Sequence, residues 1–336
     1  MTRRIGELVF LVLLIIFSAL VYLGKVSGWH EGFVFSGTVS LIVLVITALS
    51  LVWMLVRTIQ GKLVERRIVF LYVGIAIALP LFMSISQEIG ISDEVREVYD
   101  AVLELPAGSK VLVSFDFDPP SAPELQPMAE AFITLCFQRD LKVIIIGLWP
   151  QGPQQANMAV DIALSRPDIA AKQLEYGVDY VNLGYQAGAE FVIQRMGSSF
   201  QSMFKTDYRG RPYEDIPLVK NVKNFSNIDY SLNLSAGFVG TVEWVQVAVD
   251  RYGLRMGAGN TAVQAPTVYP YYNAGQLIGL MGGMNGAAEF ERLADLRAKA
   301  TRFMLSQSLA HVIVIAFVLI GNVAYFMSGR KSALRK

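Results

Sequence analysis

Histidine and cysteine are nearly absent from this chain. Among 336 residues there are two histidines, His30 and His311, and one cysteine, Cys136. Neither histidine lies in the polar central region, so a serine or cysteine nucleophile paired with histidine is unavailable there, as are histidine-ligated zinc and iron sites. A single cysteine excludes an intrachain disulfide, and a domain of that size must rely on its own core. No Gly-x-x-x-x-Gly-Lys-Ser/Thr phosphate loop occurs, and the nearest dinucleotide fingerprint, Gly257-Ala258-Gly259-Asn260-Thr261-Ala262, lacks the third glycine at its spacing. A net charge of only +1 argues against a nucleic-acid binder. No long low-complexity tract or solenoid-period repeat is visible.

Apolar length is what the chain has in quantity, with 53% of its residues hydrophobic. Four uncharged stretches, 8–24, 32–56, 68–87 and 303–329, each approach the ~20 residues that a membrane-spanning helix requires. The first has a basic start like a secretory signal, but no small-x-small cleavage site precedes Lys25, so it reads as a retained helix. Basic residues set the direction, because short loops rich in Lys and Arg stay cytoplasmic while long segments cross largely regardless of charge. Arg3 and Arg4 precede the first run; Arg57, Lys62, Arg66 and Arg67 outnumber Glu65 between the second and third; Arg330, Lys331, Arg335 and Lys336 follow the fourth. The first connection has only Lys25, His30 and Glu31. All three basic clusters share one side if each run spans once. The expectation is a multi-pass membrane protein with four transmembrane helices in a 3+1 arrangement and both termini cytoplasmic. Its parts are a membrane domain over 1–87, an extracytoplasmic domain over 88–286, a helical stalk over 287–302, a fourth span over 303–329 and a basic tail over 330–336.

The central domain alternates strand and helix. Residues 110–117 have the β-branched and aromatic content of a strand and end at Asp118-Pro119-Pro120. Ser121 and Glu124 match a capping box, so a helix is expected to start there. Leu125, Met128, Ala129, Phe132, Leu135 and Cys136 recur on one helical face, which makes Cys136 a core residue rather than a nucleophile. Residues 143–149 are apolar on both faces, as in a buried parallel strand. Further strands are expected at 180–184, 230–234 and 254–257, and helices at 154–165, 187–196 and 242–251. About five strands with intervening helices predict a doubly wound, mostly parallel, Rossmann-like α/β domain. The stretch 198–227 interrupts the alternation with Lys205, Arg209, Arg211, Lys220 and Lys223 among Tyr208, Tyr213 and Phe225. Its aromatic content favours a lid or interface over disorder.

In open α/β sheets ligands bind outside the carboxyl ends of the strands. The residues expected there are Asp116, Asp118, Trp149, Gln151, Tyr185, Gln186, Ser235, Asn260 and Thr261, a polar rim with two aromatics suited to a neutral or zwitterionic small molecule. Turn chemistry alone also explains many of these residue types. Asp116-Phe117-Asp118 resembles the opening motif of haloacid dehalogenase-type phosphatases, in which the first aspartate would be the nucleophile and the second the acid/base. The likeness ends there: Pro119-Pro120 follows, Gly147-Leu148-Trp149 replaces the phosphate-holding serine or threonine, and no downstream lysine and acidic pair matches, so the family is rejected. Two carboxylates do not define a divalent-cation site. No residue pattern identifies a cofactor.

Gly275, Gly279 and Gly283 are four apart, as are Gly282 and Gly286, a spacing that lets backbones approach closely. Their two readings are a self-association or docking interface and an internal helix packed on the sheet. From Ala287 onward strong helix formers predict a continuous rigid stalk into the fourth span. Gln307, His311 and Asn322 within that span are expected to serve helix packing. The functional expectation is a membrane-anchored extracytoplasmic binding or assembly protein, a homo-oligomeric scaffold or component of a membrane complex, with the lipid bilayer and other membrane proteins as partners. The rival is a membrane-bound hydrolase or transferase using Asp116 and Asp118.

Overall fold

The computed structural model describes residues 37–60, 66–78, 89–296 and 299–333. The chain divides into two compact units, Met1–Gln87 with Leu305–Lys336, and Glu88–Met304. The second unit is built on β1 (Lys110–Asp116), β2 (Lys142–Gly147), β3 (Tyr180–Tyr185), β4 (Tyr230–Ser235), β5 (Met256–Asn260) and β6 (Leu280–Gly282). Every pairing is parallel, and the order is β3-β2-β1-β4-β5-β6. This is the doubly wound, Rossmann-like arrangement expected, with its topological switch point between β1 and β4. The helices that cover it are α1 (Asp93–Leu103), α2 (Ala122–Gln138), α3 (Gly152–Leu164), α4 (Glu190–Met196), α5, α6 (Ala265–Asn273) and α7 (Gly283–Leu293). Helix α5 comprises Thr241–Trp244, a π turn Val245–Val249 and Asp250–Tyr252.

Strand alternation sorts the core into two layers. Val111, Val113 and Phe115 of β1 pack with α1, α2, α3 and α7, where Cys136 is fully buried and burial pushes its thiol up. Leu112, Ile144 and Ile146 face the other way, onto α4, α5 and the segment 198–227. That segment is packed protein core: Phe200, Phe204, Tyr213, Ile216, Val219 and Phe225 are all buried. Its aromatics supply the apolar cover that a regular helix supplies elsewhere on the sheet.

Two local expectations are corrected. The Ser121–Glu124 capping box does not form, because each side chain serves a nearer partner: Ser121 Oγ donates to Asp118 Oδ1 at 3.1 Å, and Glu124 Oε2 accepts from Ala262 N at 2.7 Å. The stalk is not one helix. α7 ends at Leu293, Asp295 adopts φ 52°, and a new helix, α8 (Lys299–Ala333), follows. The buried carboxylate of Glu291 explains the break, accepting from Ala300 N at 2.9 Å and from Thr301 N at 2.9 Å, so it caps the start of α8. Lys299 Nζ adds a 2.7 Å ion pair with Glu130.

The glycine-rich segment contains β6, the strand not foreseen. Its close approaches lie within the domain: a Cβ on Gly279 would sit 2.6 Å from Glu94 O, and one on Gly286 would sit 2.9 Å from the Met281 backbone. Gly283 turns from β6 into α7 at φ 58°, a conformation glycine adopts without strain. Gly282 lies against Ala265, and Gly275, at φ 73°, follows the end of α6 in open space.

In the other unit, Gly37–Ile59 and Arg66–Ala78 are helical. Tyr72 donates its hydroxyl to Ser50 Oγ and meets the Phe317 ring edge-on at 6.1 Å, so Arg66–Ala78 touches both Gly37–Ile59 and the α8 segment. Asn322 bonds Val318 O of its own helix at 2.8 Å. Among the described residues one helix, Lys299–Val323, is long and apolar enough to cross a membrane, with 25 residues and a mean hydropathy of 2.2; Val45–Arg57 is a shorter apolar helix. The expected first span, 8–24, and the part of the third beyond Ala78 lie outside the described residues.

Candidate functional site

Asp116 closes β1 at the switch point with no exposed surface. Pleating places Ser114 and Asp116 on the α5 side of the sheet, opposite Asn233 and Ser235 of β4, which in turn face Ala258 and Asn260 of β5. Four groups donate to the Asp116 carboxylate. Leu148 N reaches Oδ1 at 2.8 Å, Ser114 Oγ reaches both oxygens at 2.9 Å, and Asn233 Nδ2 and Trp244 Nε1 reach Oδ2 at 2.6 and 3.0 Å. The chain continues outward, with Thr241 Oγ1 donating to Asn233 Oδ1 at 2.7 Å and Asn260 Nδ2 donating to Thr241 Oγ1 at 2.9 Å. One carboxylate thus pins β1, β2, β4 and α5. Burial pushes its carboxyl up to about 6, against the opposing pull of the Leu148, Ser114, Trp244 and Asn233 donors.

Above this floor the loops after β1, β2, β4 and β5 form a rim. Trp149 reaches across from β2 to donate Nε1 to Val239 O at 2.9 Å, and its ring lies 3.6 Å from where a Cβ on Gly237 would stand. Ser235 Oγ lies 3.1 Å from Gly237 O and 3.3 Å from Gln264 Oε1, alternative acceptors for its one proton, while Gln264 Nε2 donates to Gly237 O at 3.3 Å. Thr261 O receives Gln264 N and Ala265 N at the start of α6. Phe238 and Val263 are exposed on these loops, and Asp118 is half-buried.

The structure therefore gathers Asp116, Trp149, Ser235, Asn260 and Thr261 around the switch point, with Asp118 one turn beyond. Tyr185 and Gln186 end β3, two strands away, where Gln186 Nε2 is held by Met203 O at 2.6 Å, and exposed Gln151 begins α3. Sequence reasoning missed Ser114, Asn233, Thr241, Trp244 and Gln264. A signal for the first two existed: polar residues recur at period two inside β1 and β4, on the same face as Asp116. Among the described residues no group of three or more His, Cys, Asp or Glu side chains is placed to hold a metal ion. No family model matches the chain, and neither the curated proteins nor the solved structures yield a match to it.

Proposed function

We propose that this chain is a membrane-anchored protein whose α/β domain faces out of the cytoplasm and works by binding and assembly, as a homo-oligomeric scaffold or a component of a membrane complex. The switch-point crevice is the ligand seat in this reading. The observation that carries it is the condition of Asp116. A nucleophile must reach substrate, whereas this carboxylate is fully buried and committed to four donors on three strands or their loops and one helix. Such a network rigidifies a floor, as a preorganised binding site requires. The hydrolase or transferase rival is left with Asp118 alone, itself bonded to Ser121.

Anchoring is supported by the apolar helix Lys299–Val323 and by the exposed side chains of Ile46, Leu49, Trp53, Val312, Ile315 and Leu319, a surface that water-soluble proteins rarely present. The four-span, outward-facing topology extends that support through the positions of the basic clusters. Light scattering of the detergent-solubilised chain tests assembly: a mass of at least two chains that survives dilution is expected, and a monomer persisting at high concentration contradicts it. Turnover of p-nitrophenyl phosphate or acetate that vanished in Asp118→Ala would replace binding with the enzyme reading.

A further inference from the structure

A second concavity lies away from the switch point, at the β3 edge of the sheet. The segment 198–227 wraps this edge, and Tyr208 N donates to Asn182 O of β3 at 2.8 Å. Between that wrap and α3 is a cavity of about 270 Å³ with Ile145 and Val160 among its walls. The volume lies just under the ~300 Å³ at which ligand pockets usually begin, and it suits a molecule of amino-acid size.

Two opposite charges line it. Arg209 lies on the Tyr176 ring, its Cζ 3.6 Å from the centroid, and Asp161 projects from α3. Among the described residues neither has an ion-pair partner or a side-chain hydrogen bond of its own. A guanidinium stacked on a ring keeps its in-plane N–H donors available to a carboxylate. The Arg209 loop is held in place from beneath, since buried Asp207 accepts from Arg209 N at 2.9 Å and from Arg211 N at 2.8 Å. Tyr180, also on the cavity wall, responds to both charges: burial raises its hydroxyl, Arg209 pulls it down, and Asp161 and Asp179 push it up. An anion alone would meet Asp161, and a cation alone would meet Arg209.

We infer that this cavity binds a small zwitterion with an apolar body, of the α-amino acid type, its carboxylate on Arg209 and its ammonium on Asp161, with Ile145 and Val160 against the body. The site is separate from the crevice and stands whether or not the crevice binds a ligand. Calorimetry on the full chain in detergent, titrated with L-leucine, 4-methylpentanoate and 3-methylbutylamine, tests it. L-leucine is expected to bind once per chain, and the two analogues, each lacking one charge, at least tenfold more weakly. Arg209→Gln and Asp161→Asn, both at exposed positions, should each weaken L-leucine at least tenfold without moving the unfolding temperature. Absence of L-leucine binding, equal binding of either analogue, or indifference to both substitutions would overturn the inference. Should Arg209→Gln disturb its loop, the analogue series with the unaltered chain decides.

Discussion

Asp116 shows how surroundings, rather than residue type, decide what a carboxylate does. Its ordinary value of 3.8 applies to the unfolded chain, and burial lifts the folded value to about 6. Between those values the folded state holds the extra proton. Stability from this group is therefore fully present below about pH 4 and is lost as pH rises through about 6, by up to about 3 kcal/mol for a shift of roughly two units. Asp116→Asn cannot titrate, so that slope should vanish from the variant. At pH 7 its amide nitrogen would also face a buried donor, costing about 1–3 kcal/mol. Urea midpoints of both proteins at pH 4.5 and 7 measure the two effects; identical pH slopes would show that Asp116 does not titrate in this range. The residue's position at a strand end was legible from the sequence. Its sequestration was not, because Leu148, Asn233 and Trp244 come from three other parts of the chain.

At the scale of elements, legibility followed the strength of local pattern. β1 and β2 carry β-branched runs and lie within a residue or two of their expected bounds, and α2, which carries an apolar face, starts where expected. β6 has only Leu280-Met281-Gly282 between glycines, and it is a strand because β5 offers it a partner. The capping box and the stalk failed for a shared reason: Glu124 and Glu291, read as local helix residues, are used by Ala262 and by Ala300 and Thr301. Glu291→Gln tests the second case. Losing a charged cap costs about 1–2 kcal/mol, so the amides of Ala300 and Thr301 should exchange hydrogen faster while those of β1 are unchanged. Equal protection at Ala300 and Thr301 would show that Glu291 does not hold the start of α8.

For the whole molecule, we propose a Rossmann-like domain carried outside the cytoplasm on a membrane base. The physical basis is asymmetric charge: basic residues gather at Arg3–Arg4, between Arg57 and Arg67, and beyond Gly329, while the central residues 88–302 carry 25 acidic against 18 basic side chains. One helix suffices to tether a domain, so additional spans would serve as a packed, orienting base. Cys136 is the sole native cysteine and is fully buried, so introduced thiols can be read without background. The decisive measurement is labelling of Lys223→Cys and Lys62→Cys in intact cells with a membrane-impermeant maleimide. The thiol at position 223 is expected to react from outside and the one at 62 only after the membrane is opened; the reverse pattern would contradict the outward orientation.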